Sequence, residues 1–218
     1  MHSFADVILV YMVLSNLVML GSTRVSACIT LVAGQGLLLG FLPLLTPGHA
    51  LSSSSLVLFI ASVLIKGILF PRMLFRAERT AGVSRESHPL IGQGVSILVG
   101  VLLLGLAMWM GSMLKLPAGV EVASPLVIPV SLFTLMNGLL LIICRSQALT
   151  QVLAYLVMEN GIYIFGVSLA RGQSLLVEMG VLLDVFVAVF VMGIAIFHIS
   201  REFEHMDVDQ LNVLRENN

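Results

Sequence analysis

The sequence is poor in charge. Of 218 residues only 11% are Asp, Glu, Lys or Arg, while 58% are hydrophobic. Soluble domains carry about 25% charged residues. With a mean hydropathy of +1.06 the chain reads instead as a polytopic membrane protein. A net charge of −1 provides no basic footprint for nucleic acid. The two cysteines, Cys28 and Cys144, exclude a disulfide framework or a cysteine cluster. Both fall near the ends of apolar segments and read as small packing residues. The histidines, His2, His49, His88, His198 and His205, lie in loops or at segment ends. They provide no haem ligands inside the spans, no metal site and no catalytic dyad. No nucleophile motif, phosphate-binding loop or metal-ligand spacing occurs, so neither a cofactor nor a catalytic centre is expected. The first apolar run, MHSFADVILVYM, has no Lys or Arg before it. A signal peptide wants a basic start, so this run reads as a retained helix.

What is present is a series of long apolar runs. Seven segments can be drawn, at about 4–21, 25–45, 55–74, 90–114, 124–143, 148–170 and 174–199. Each approaches the ~20 residues that span a bilayer as a helix. Between them lie a basic turn at Arg24, an uncharged loop at 46–54, and the main polar loop at 75–89 with Arg76, Arg79 and Arg85. A polar tail, 200–218, follows the last segment. Pro125 and Pro129 fall in the first turns of the fifth segment. Gly92, Gly94, Gly100, Gly105 and Gly111 punctuate the fourth, where they permit close helix contact.

Lys and Arg in the loops set the orientation. One side would hold Arg24, Arg72, Arg76, Arg79, Arg85, Arg145, Arg201 and Arg215, the other only Lys115 and Arg171. That bias puts the N-terminus outside and the C-terminus in the cytoplasm, which an odd number of spans satisfies. Segments one to three and five to seven share a layout. Each triplet has a basic turn after its first helix (Arg24, Arg145), a polar residue midway in its second (Gln35, Glu159), and a charge deep in its third (Lys66, Asp184). The expected fold is all-α and membrane-integral: two parallel three-helix units joined by a linker helix.

Glu159 lies at the centre of ALTQVLAYLVMENGIYIFGVSLA. A carboxylate at mid-membrane costs at least ~2.5 kcal/mol on insertion scales, so an intramembrane ionisable residue is functional by default. The structural alternative is a hydrogen bond to a neighbouring helix. Lys66, in LFIASVLIKGILF, either snorkels to the interface or serves as a proton-exchanging amine or counter-ion. Asp184, in GVLLDVFVAVF, either relays protons or locks two helices; Glu178 lies nearer the end of the same segment. Gln35 does not titrate, but it can bridge helices or hold a water chain. Tyr155, Glu159 and Tyr163 share a helix face at i, i+4 and i+8. The phenols either hydrogen-bond the carboxylate or form a packing stripe.

Three pieces, LVMENG at 156–161, the segment around Glu178 and Asp184, and MDVDQL at 206–211, together resemble hydrogenase-4 component E, a membrane subunit of formate-hydrogenlyase-type complexes. The Lys66 and Gln35 helices fit the same pattern. The last hundred residues also resemble the K subunit of respiratory complex I. That family has three helices, an Arg-containing turn and two membrane glutamates implicated in proton transfer. Glu159 and Asp184 each sit about one turn, or about 5 Å, from those glutamates. The resemblance implies a proton-path subunit without a cofactor in a bacterial or archaeal cell membrane. It would sit beside antiporter-like and other membrane subunits, with the hydrogen chemistry carried by others. It divides the chain into a three-helix unit at 1–75, a cytoplasmic loop and linker helix at 76–123, a K-like unit at 124–199 and a cytoplasmic tail at 200–218. A small secondary transporter with parallel three-helix repeats and a purely structural scaffold are the competing readings. Pro43, Pro71, Pro125 and Pro129 at or near segment ends count against the broken helices a transporter wants.

Overall fold

The computed structural model describes residues 2–45, 60, 63–80, 92–114, 124–145 and 147–169. The seventh segment, with Glu178 and Asp184, and the tail lie outside these residues, as do the loop 46–54, Arg85, Lys115 and Arg171. Among the described residues every element is helical and there is no strand. In chain order they are α1 (His2–Gly21), α2 (Val25–Leu45), a π-helical stretch (Val63–Leu69) that runs directly into α3 (Phe70–Thr80), α4 (Gln93–Met113), α5 (Val127–Cys144) and α6 (Ala148–Leu169).

The physical reason is common to most of them. Apart from Asp6 in α1, none of α1, α2, α4 and α5 contains a charged residue. In hydrocarbon each unsatisfied backbone group costs several kcal/mol, which leaves the helix as the local solution. Phe4–Gly21, Val25–Leu42, Gln93–Met113 and Val127–Cys144 are long and apolar enough to cross a membrane. The protein is membrane-embedded. On the outer side of α1, Phe4, Val7, Val10, Leu14 and Val18 form an exposed apolar stripe. α6 has 22 residues, about 33 Å of continuous helix, and carries the polar Glu159 and Asn160 in its middle.

Two expectations need correction. The polar loop does not begin at residue 75, because α3 continues to Thr80. Phe70 and Leu74, spaced i and i+4, are buried while Arg72, Arg76 and Arg79 are exposed. An amphipathic pattern of this kind holds a helix where polarity alone suggests a loop. The glycines of the fourth segment are not uniformly packing residues. Gly100 packs on Leu20 and Gly111 on Pro129, but nothing lies within 4 Å of where a Cβ would stand at Gly92, Gly94 or Gly105.

α5 and α6 pack at backbone contact. A Cβ on Gly138 would stand 2.6 Å from the Met158 amide nitrogen, and one on Gly161 2.6 Å from that of Leu135. Pro129 sits in the first turn of α5, where its missing N–H leaves no bond unmade.

The interior is layered along the helix axes. One apolar cluster includes Met19, Leu20, Val25, Ile29, Phe70, Leu74, Leu141 and Leu153. The other includes Leu9, Met12, Leu39, Leu42, Val127, Val130 and Ile164. Between them α1, α2, α5 and α6 each contribute buried polar residues: Ser15 and Asn16, Gln35, Thr134 and Asn137, and Glu159 and Asn160.

Candidate functional site

The site forms at this polar layer. Gln35 stands ten residues into α2 and Glu159 eleven into α6. At 1.5 Å per residue each lies about 15 Å from its helix start, half the ~30 Å hydrocarbon core. Lys66 reaches the same depth from the π-helical stretch, which runs back toward the basic end through α3.

Lys66 and Glu159 meet. The ammonium Nζ is 2.8 Å from Glu159 Oε1, and both side chains are only 4% exposed. Lys66 therefore does not snorkel. Its ammonium also lies 4.7 Å from the centroid of the Tyr163 ring, on whose face a cation is favoured. The side chain leaves a wide π-type turn, a geometry frequent at functional sites. Gly36 makes room for it, since a Cβ there would stand 2.7 Å from Lys66 Cβ and 3.3 Å from its carbonyl carbon and oxygen.

A neutral network adjoins the pair. Gln35 Nε2 donates to Ser15 Oγ at 2.8 Å and to Asn16 Oδ1 at 2.9 Å, while Gln35 Oε1 accepts from Asn160 Nδ2 at 3.2 Å. Asn16 Nδ2 donates to Thr134 Oγ1 at 3.0 Å, and Asn137 Nδ2 to the Asn16 carbonyl at 3.4 Å. Gln35 thus uses both donors and its acceptor to tie α2 to α1 and α6. Because Asn160 is the residue after Glu159, this tie also holds the rotation of α6 that presents the carboxylate to Lys66.

Of the residues singled out in the sequence, the structure brings Lys66, Glu159, Tyr163 and Gln35 into one layer. Tyr155 is half-buried one turn away and makes no hydrogen bond to Glu159. Asp184 lies outside the described residues. Sequence reasoning missed the asparagines and Arg145. Asn16 stands eight residues before Arg24, and Asn137 eight before Arg145. That matched spacing was the available signal, and in the fold the two asparagines touch across α1 and α5. Arg145 is 4% exposed, whereas Arg24 is exposed. Arg145 Nη2 donates to the carbonyls of Ser22 at 2.7 Å, Met19 at 3.3 Å and Leu20 at 3.4 Å. It caps α1, whose last carbonyls have no partner within the helix, and so fastens the α5–α6 corner to it.

Comparison with known proteins finds relatives that match most of the chain. The chain is 29% identical over 165 residues to hydrogenase-4 component E of Escherichia coli K12, covering 75% of this chain and 76% of that protein. The chain is a homologue of hydrogenase-4 component E. The same identity and coverage hold for the component E of Shigella flexneri. An uncharacterized protein of Mycobacterium tuberculosis is 28% identical over 208 residues, covering 94% of this chain and 93% of the relative. No protein-family model and no solved structure matches the chain.

Proposed function

We propose that the protein is a membrane subunit of a hydrogenase complex, and that Lys66 and Glu159 are part of a proton path through it. The single observation that supports the path is the buried ion pair at 2.8 Å in the middle of the bundle. Homology to hydrogenase-4 component E supports the setting. The orientation with its basic end in the cytoplasm, the seven spans and the two three-helix units belong to the same proposal.

The chemistry follows from the pair. A proton arriving at Glu159 converts the carboxylate to a neutral acid and removes the counter-charge of Lys66. An unpaired ammonium is costly at this depth, so Lys66 passes a proton to the next acceptor and becomes a neutral amine. The acid then returns its proton to the amine, and the ion pair re-forms. One proton has entered and one has left. Tyr163 steadies the ammonium, Gln35 and Asn160 hold α6 in register, and Asp184 is the further carboxylate. Hydrogen chemistry is left to other subunits, and this chain contributes no catalytic group of its own.

The test replaces Glu159 in the assembled complex and measures hydrogen-dependent proton translocation. Glu159→Asp keeps a titratable group and should keep part of the translocation. Glu159→Gln keeps size and hydrogen bonding without the proton site, and should lose translocation while the complex still assembles. Full translocation by Glu159→Gln would end the proposal for this residue. A purified chain that carries a solute by itself would favour a secondary transporter instead.

A further inference from the structure

The outer face of the helix that carries Lys66 changes chemistry along its length. Leu64 is 51% exposed and Ile68 41% exposed in the π-helical stretch. Arg72, Arg76 and Arg79 follow on α3, and all are exposed. Spacings of four, four, four and three residues keep these five side chains on one face. The opposite face is committed to the protein, with Lys66 paired to Glu159 and with Phe70 and Leu74 in the apolar cluster. Leu74 shares that cluster with Met19, Leu20 and Val25, which places the arginines at the end of the bundle where α1 and α2 turn at the exposed Arg24.

We infer that this face binds an anionic phospholipid, with its acyl chain against Leu64 and Ile68 and its phosphate at Arg72, Arg76 and Arg79. The order of the groups carries the inference. Apolar side chains at membrane depth give way without interruption to guanidinium groups beyond it, the same sequence of chemistries as a phospholipid read from tail to headgroup. Guanidinium donors suit phosphate oxygens in paired geometry. A soluble acidic partner would match the arginines but not the exposed leucine and isoleucine beneath them. The inference is independent of the proton path, because none of these five residues belongs to it.

The experiment uses the full chain purified in mild detergent. Native mass spectrometry counts adducts after titration with phosphatidylglycerol or with phosphatidylcholine. The intact chain should retain phosphatidylglycerol in preference to phosphatidylcholine. That preference should fall about five-fold for each arginine replaced by glutamine, the worth of one basic residue near an anionic surface. Ile68→Ser should weaken both lipids alike. If the variant carrying Arg72→Gln, Arg76→Gln and Arg79→Gln does not fold, Arg72→Gln alone serves, since its side chain is exposed. Equal binding of the two lipids by the intact chain would overturn the inference, as would undiminished phosphatidylglycerol preference in the arginine variants. Loss of partner subunits from the variants with lipid binding unchanged would assign the face to a protein and overturn it too.

Discussion

Removing Lys66 and Glu159 one at a time should be worse than removing both. Each is 4% exposed, and they are 2.8 Å apart. Lys66→Met leaves a carboxylate, and Glu159→Leu an ammonium, without a counter-charge in the middle of the bundle. Breaking a buried pair by removing one partner typically costs about 3–5 kcal/mol, whereas replacing both by apolar residues is often neutral or better. Were the effects independent, the double variant would lose the sum, roughly 6–10 kcal/mol on the same figures. Lipid tempers the singles, because a stranded group can neutralise by exchanging a proton. Even so, insertion scales put a charge at this depth at about 2.5–3.5 kcal/mol. The double variant should therefore be more stable than either single one. The assay is unfolding of the purified chain in mixed dodecyl-maltoside and SDS micelles, run on all four proteins. A double variant whose loss equals the sum within about 0.5 kcal/mol would refute the coupling, since additivity of that quality marks sites that do not interact.

Three further outcomes follow from the packing. Gly36→Ala should cost about 1–3 kcal/mol, the usual penalty of overpacking, and should also impair translocation. Its Cβ would press on Lys66 at 2.7 Å, and unchanged stability and translocation would show that the close approach is unimportant. Gly138→Ala should destabilise the α5–α6 pair because its Cβ would meet the Met158 backbone at 2.6 Å, whereas Gly105→Ala, with open space around it, should not. Thermal melts in detergent compare the two. Arg145→Leu should lose about 1.5–3 kcal/mol, the worth of hydrogen bonds from a charged donor. Arg24→Leu, an exposed arginine in the matching turn, should stay within about 0.5 kcal/mol. Equal losses would mean that the cap on α1 is not what matters.

Much of the fold was legible in order of residue. Charge poverty and uninterrupted apolar runs require helices, because a backbone in hydrocarbon must bond to itself, and that is a local condition. The depth of Lys66 and Glu159 was legible for the same reason, since rise per residue converts position into depth. Where a local rule failed it did so at α3: a run of arginines reads as loop until Phe70 and Leu74 find the surface of α2.

What only the tertiary structure decided is which buried polar group meets which. Lys66 and Glu159 are 93 residues apart, and nothing near either says that Gly36 opens a place for one against the other. Gln35 read as a bridge or a water holder; its three hydrogen bonds to α1 and α6 make it a bridge. Two arginines in equivalent turns looked alike, yet Arg145 is buried on the carbonyls of α1 and Arg24 faces out. In a medium that leaves polar side chains no water to turn to, composition requires that partners be found, and the packing of helices distant in sequence selects them.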